Sequence, residues 1–282
     1  MNNVRLFLKK LKIHPLFWLV IMLAIMTGHF RQILYLFLAV FIHEVGHYVG
    51  AAYFRWNIKK MELFPFGGVL EVEEHGTRPA KEEVIVALLG PLQHIWLLAV
   101  TFWCIQMGWW GEDGQWFLTI NVTLLLFNLL PIWPLDGGKL VFTAMTMCLP
   151  YKKAQSLFLA CSALLASSLL CYFLIQNPLH ANLWIIASFL AISHYIEWKR
   201  RPFVFMRFLM SRTIAHERVV TKPLHVSAEM TLSEVLDRFR KGVAHLIVIQ
   251  GVYEQTLIEE ERVLHAFFSH NQVKCAIGPL FR

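Results

Sequence analysis

Charged side chains are scarce. Asp, Glu, Lys and Arg make up 16% of the 282 residues, against 57% apolar ones. A soluble domain carries roughly a quarter charged residues, so this balance, with a mean hydropathy of +0.51, excludes an ordinary soluble enzyme. Acids thin out further in mid-chain, where Asp136 is the one acidic residue between Gln115 and Glu197. Cysteine is sparse too. Cys104, Cys148, Cys161, Cys171 and Cys275 show no C-x-x-C spacing, and four lie in or beside apolar segments. They read as small buried hydrophobes, which excludes a disulfide framework and a cysteine zinc site. The net charge of +7 could suit nucleic acid, but the basic residues flank hydrophobic runs, where the positive-inside rule explains them better. The basic segment from Met1 to Lys12 precedes an apolar run that lacks a small-residue cleavage site, so that run is read as a span and not as a signal peptide.

What the chain does have is long apolar runs. Six read as membrane spans, each compared with the ~20 residues that cross a bilayer core. They cover about Ile13–Met26, Ile33–Phe54, Val84–Met107, a run from Trp116 that breaks at Pro131, Ala154–Ile175 and Leu183–Trp198. Lys and Arg collect in alternate connections: Arg5, Lys9, Lys10 and Lys12 before the first span, then Arg55, Lys59, Lys60, Arg78 and Lys81, then Lys152 and Lys153, then Lys199, Arg200 and Arg201. The other connections carry Arg31 alone. This asymmetry predicts a multi-pass membrane protein with both termini in the cytoplasm. The expected fold class is therefore an α-helical polytopic membrane protein of six transmembrane spans.

The second span holds His43-Glu44-Val45-Gly46-His47. Ionisable residues inside a membrane segment are costly and mark functional sites. Residues i and i+4 share a helix face, so both imidazoles can reach one metal ion. Glu44 stands beside the first ligand, placed to act as a base on a water that the metal acidifies. Two histidines bonded to neighbouring helices would be the plainer explanation, but it leaves Glu44 in lipid without a reason. His43 lies about 16 Å from the cytoplasmic end of its helix.

A catalytic zinc takes three protein ligands and keeps one position open. One later stretch supplies the third: Phe127-Asn128-Leu129-Leu130-Pro131-Ile132-Trp133-Pro134-Leu135-Asp136-Gly137-Gly138. Its prolines and glycines unwind the chain, which a membrane tolerates only where the backbone is buried in protein or lines a cavity. Between the two motifs, Gly90-Pro91 predicts a kink in the third span, and Gln93 and His94 read as interhelical hydrogen-bonders rather than ligands. The segment from Lys60 to Glu74 is broken by Pro65 and Gly67-Gly68 and alternates apolar and polar residues beyond them. It predicts a surface hairpin, whose edge could dock an extended substrate strand.

HEVGH with N-x-x-P-x-x-P-L-D-G resembles the site-2 protease family of intramembrane zinc metalloproteases, over about residues 1 to 200. The resemblance implies His43, His47 and Asp136 as ligands of one zinc ion and Glu44 as general base. It also implies that Asn128, Pro131 and Pro134 shape the substrate path, and the LFPFGG stretch brings in Phe66 and Gly67. With the six-span layout and a C-terminal domain, that stretch resembles the sporulation branch of the family. That branch implies a membrane-associated sigma-factor precursor, sigma-K, as substrate, membrane inhibitor proteins as partners, and a place on the mother-cell side of the outer forespore membrane. A rival of another class is a non-enzymatic metal-ion transporter or sensor. It would need the ligands but no base at Glu44.

Beyond Pro202 the composition becomes that of a soluble domain. The expected division is a protease domain at 1–201, a linker at 202–219 and a regulatory domain with its tail at 220–282. His225 to Phe239 reads as a strand, a Thr or Ser cap and an amphipathic helix, with Thr231 and Glu234 spaced as a capping box, and His245 to Ile249 reads as a buried strand. Leu257-Ile258 and a helix over Glu259–Ser269 come next. This β-α-β-β-α order resembles a CBS domain, a small α/β module over roughly 220 to 272. The resemblance implies an ATP site, and a single copy implies homo-oligomerisation through the C-terminal domain or an imperfect fold; a helical docking tail is the plainer alternative.

Overall fold

The computed structural model describes residues 10–13, 15–64, 67–72, 78–179, 181–214, 221–250, 255–270 and 275–281. The chain divides into two compact units, Met1–Leu140 and Val141–Arg282.

In the first unit, β1 (Leu11–Ile13) leads to the short α1 (Pro15–Met26) and then to α2 (Phe30–Tyr53). The strands β2 (Ile58–Phe64) and β3 (Gly67–Val72) come next, then α3 (Ala80–Gln106) and α4 (Glu112–Asn128). The helix α2 carries HEVGH and packs against α3. Gly46 and Gly50 lie one turn apart on that face, where a Cβ at either would overlap Leu89. Small residues at this spacing let two membrane helices approach closely, and packing replaces the hydrophobic drive that lipid cannot supply. Ala39, Leu97, Phe117 and Ile120 close the seam where α4 joins, with Tyr35 and Trp110 against them. At that end Arg31 donates to Asp113 at 2.7 Å. At the other end Ala51, Trp56, Ile58 and Val86 form a second cluster, and Trp56 Nε1 donates to Glu82 at 2.8 Å.

The expected hairpin is part of a three-stranded sheet in the order β1-β2-β3. The strand β1 runs parallel to β2, with Leu11 opposite Met61, and β3 pairs antiparallel with Leu70 opposite Met61. Three residues are too short a run to show alternation, so β1 is invisible as a sequence pattern. The strand β3 is at the sheet's edge.

A turn from Leu129 to Leu135 ends α4 and starts α5 (Asp136–Cys148). The second unit then holds α6 (Tyr151–Gln176) and α7 (Ala181–Ile214). Ser162 Oγ hydrogen-bonds His194 Nε2 at 2.8 Å, while His194 Nδ1 donates to the Leu190 carbonyl, tying these two helices together. The helix α7 continues past the expected end of the sixth span, through Pro202. Proline there removes the donor for the carbonyl four residues back. That carbonyl, on Trp198, accepts Arg201 Nε instead at 3.2 Å, and the guanidinium lies over the Trp198 ring. Among the described residues α2, α3 and α6 are long and apolar enough to cross a membrane.

The C-terminal sheet has β4 (Thr221–Ser227) parallel to β5 (Ala244–Gln250), which pairs antiparallel with β6 (Gln255–Glu259). Between the parallel strands lies α8 (Leu232–Leu236), shorter than expected; α9 (Glu260–His270) and α10 (Ile277–Leu280) complete the unit. Thr231 accepts the Glu234 N–H and Glu234 accepts the Thr231 N–H, so the capping box is made. The Thr231 backbone N–H holds the Glu234 carboxyl below its ordinary range.

Arg212, near the end of α7, is buried and donates to both Glu260 oxygens, at 2.5 and 2.7 Å, and to the Arg240 and Val243 carbonyls. Removing one partner of a buried pair strands the other, at about 3–5 kcal/mol. Arg212→Ala is expected to destabilise the C-terminal sheet by about that much. Hydrogen exchange of β5 in the full chain reads this; unchanged protection would show that the pair is dispensable.

Candidate metal centre

The helix α2 places His43 and His47 one turn apart, both buried. Glu44, also buried, sits between them in sequence, and its side chain lies where β3 crosses; a Cβ on Gly68 would overlap it. The turn between α4 and α5 then delivers Asp136, buried, as the first residue of α5.

These elements bring three electron-rich atoms to one point. His43 Nε2 and His47 Nε2 are 3.1 Å apart, and Asp136 Oδ2 is 3.0 Å from each. Four-coordinate zinc, with bonds of about 2.0–2.2 Å, needs ligand atoms roughly 3.3 Å apart. The triangle meets that spacing within a few tenths of an ångström. Two imidazoles and a carboxylate are also a donor set that catalytic zinc uses. The floor of the cluster is shaped for an ion: Gly90 of α3 faces both rings, and a Cβ there would overlap His47 Nε2 and crowd His43 Nε2. The residues present fit a bound divalent metal.

Each member of the triangle is held from behind. His47 Nδ1 donates to the Val86 carbonyl at 2.8 Å, which leaves the Nε2 lone pair facing the cluster. Asp136 turns its other oxygen, Oδ1, to Lys139 Nζ at 2.8 Å. Sequence reasoning missed Lys139, although an acid and a lysine at i, i+3 on a helix beginning at Asp136 give the signal. His43 Nδ1 lies 3.1 Å from His94 Nε2, so the residue expected to bond between helices does so, to a proposed ligand. The helix α3 runs on through Pro91.

Asn128, the last residue of α4, donates to the Leu124 carbonyl at 3.0 Å. Pro131 and Pro134 lie in the turn that leads to Asp136. Neither they nor Asn128 supplies an atom to the triangle. Gly67 opens β3, and Phe66 lies outside the described residues.

The sequence profile of Peptidase family M50 matches residues 31–111 and 104–169, spanning both motifs. The stage IV sporulation protein FB of Bacillus subtilis is 39% identical over 275 residues, 96% of each chain. The chain belongs to peptidase family M50. A zinc metalloprotease of Methanocaldococcus jannaschii, MJ0392, is 28% identical over 208 residues, which cover 72% of this chain and 58% of that protein. A solved structure, the site-2 protease from Methanocaldococcus jannaschii, superposes with a TM-score of 0.52 at 24% identity, over 66% of this chain and 89% of that one. That likeness shows the fold. The M50 protein is thus a zinc-dependent membrane metalloprotease of site-2 type, and the transporter alternative is set aside.

Gly90 gives a test of the cradle. Alanine is favoured over glycine inside a helix by about 1 kcal/mol, so Gly90→Ala would raise helix stability if only the backbone mattered. Because its Cβ would overlap His47 Nε2 and crowd His43 Nε2, this variant is expected to bind zinc about 10–100-fold more weakly than the native protein, the usual cost of perturbing the surroundings of a metal site. Competition with a chelator decides; native zinc affinity would refute the cradle.

Proposed function

We propose that this chain is an intramembrane zinc endopeptidase, with His43, His47 and Asp136 as the ligands of one zinc ion and Glu44 as the general base. The observation that carries this is the triangle of ligand atoms with a buried carboxylate on the same helix turn. Bound zinc would acidify a water and polarise the scissile carbonyl. Glu44 takes the proton of the attacking water and returns it to the leaving amine, so one carboxylate serves as base and then as acid. Lys139 holds Asp136 so that one oxygen faces the histidines.

The substrate must present an extended backbone, because a helix hides its carbonyls in its own hydrogen bonds. The edge strand β3 crosses at Glu44. An unwound substrate segment adding to that edge would receive backbone hydrogen bonds beside the base. Phe66 and Gly67 would belong to this docking rail, with Asn128, Pro131 and Pro134 shaping the path on the α4–α5 side. The relative's name as a sporulation protein supports a membrane-associated sigma-factor precursor as substrate, with membrane inhibitor proteins as partners and the outer forespore membrane as the location.

Substitutions separate the roles. His43→Ala, His47→Ala and Asp136→Ala are each expected to lose zinc and proteolysis together. Glu44→Gln is expected to hold about one zinc per chain yet cleave at least about 100-fold more slowly, the lower bound for loss of a general base. Metal content and cleavage of a co-expressed precursor are measured on the same preparations. Substantial cleavage by Glu44→Gln would remove it from the mechanism.

The proposed topology has six spans with both termini cytoplasmic, a protease domain at 1–201, a linker at 202–219 and a CBS-like domain at 220–282. The distribution of Lys and Arg supports it. The strand and helix order from β4 to α9 supports the CBS-like reading. A cavity of about 450 Å³ lined by Lys222, Arg238, Arg240 and His245 among others offers the positive charge an ATP phosphate group requires. Pairing of this domain between two chains would make a homo-oligomer. Binding of ATP by the full chain that Arg240→Ala leaves unchanged would place any nucleotide elsewhere.

A further inference from the structure

Behind His43 runs a line of buried polar groups with a defined direction. His94 on α3 and Asn121 on α4 are both fully buried. Asn121 Nδ2 donates to the Phe117 carbonyl one turn back, at 2.8 Å. That bond fixes which way the amide faces, since a flipped amide would set two oxygens against each other. Its oxygen Oδ1 is therefore the atom 2.8 Å from His94 Nδ1. Carboxamide oxygen only accepts, so His94 Nδ1 carries a proton. In a neutral imidazole the other nitrogen then holds a lone pair. His94 Nε2 turns that lone pair to His43 Nδ1 at 3.1 Å, and so His43 Nδ1 is the protonated one. His43 Nε2 is left bare, and it is the atom facing His47 Nε2 and Asp136 Oδ2.

We propose that His94 and Asn121 are positioning residues for the metal centre, a relay that locks His43 in the tautomer whose Nε2 lone pair faces the ion. The inference rests on the metal assignment above. A ligating histidine ordinarily gives its second N–H to a carboxylate, a carbonyl or water. Here the acceptor is a neutral ring oriented by a neutral amide, and three helices, α2, α3 and α4, each contribute one member. The direction of the whole line is set at the end farthest from the ion, by a backbone carbonyl. The other histidine needs no relay, because Val86 supplies its carbonyl directly.

The test uses the full-length protein in detergent and reads zinc affinity by competition with a chelator, together with the visible spectrum of the cobalt-substituted form. His94→Leu is expected to weaken zinc about 10–100-fold, the usual cost of losing such a partner. Its cobalt bands should shift, while the metal-free protein unfolds at the native temperature. His94→Gln keeps an acceptor near the Nε2 position and should lose less than about tenfold. A residue that only filled space would not make this distinction. Asn121→Asp against Asn121→Leu asks the same question one step back, and carries the test if His94→Leu fails to fold: the buried acid, protonated, can donate to the Phe117 carbonyl and still accept from His94, so it should lose less than about tenfold in affinity, whereas leucine loses more. Leucine variants that hold zinc as the native protein does would overturn the relay and leave the ligand assignment standing. A native protein that binds no zinc, or a His43→Ala variant that binds it undiminished, would overturn the ligand assignment itself.

Discussion

Three electron-rich atoms held 3.0–3.1 Å apart in a buried site repel one another unless positive charge lies between them. Burying even one carboxylate costs several kcal/mol after relaxation, and Asp136 and Glu44 are both buried within one helical unit. A divalent ion offsets that cost as no single proton can, because all three atoms face it at once. The rest of the unit reads as the apparatus that keeps them there. The i, i+4 spacing on α2 supplies two members of the triangle without any loop closure. The third needs a chain that stops being helical, turns at Leu129–Leu135 and restarts with Asp136 as its first residue.

Close approach is the second requirement, and it explains where side chains are missing. The helix α3 comes near enough to roof both histidines because Gly90 has no Cβ, and α2 admits α3 at Gly46 and Gly50. The strand β3 reaches Glu44 at Gly68 for the same reason. None of these three contacts depends on unusual glycine dihedral angles. They are places where one element must lie close against another, at Gly90 and Gly68 against His47 and Glu44 and at Gly46 and Gly50 against Leu89, and alanine would already be too large.

Much of the site was legible because its chemistry is expensive. Two histidines and a glutamate in an apolar run, and one acid in a long acid-free stretch, have no cheap structural explanation, so both motifs stood out. The capping box at Thr231 and the strand at His245–Ile249 were legible as local patterns. What stayed hidden was set by tertiary context. The strand β1 exists because β2 offers it an edge, and Asn121 is an ordinary polar residue until its neighbour His94 is known. The helix α5 was obscured by the Pro-Gly stretch before it, which announces a break but does not reveal that a new helix begins at Asp136. The helix α7 outran its expected end because Arg201 satisfies the carbonyl that Pro202 frees, a compensation that composition does not show.

The surroundings of the cluster are asymmetric. On the α3–α4 side everything is sealed: His94 and Asn121 have no exposure, and their hydrogen bonds end on a backbone carbonyl. On the other side Lys139, bonded to Asp136, keeps about a third of its side chain exposed. Hydrolysis needs water at the ion but not behind the ligands. Water behind His43 would supply both donors and acceptors and would leave its tautomer unfixed, whereas a dry relay permits one arrangement. At Lys139 an ammonium group on a flexible stem holds Asp136 Oδ1. The sealed side therefore sets the direction of the lone pairs, and the partly exposed side, where Lys139 holds Asp136, does not.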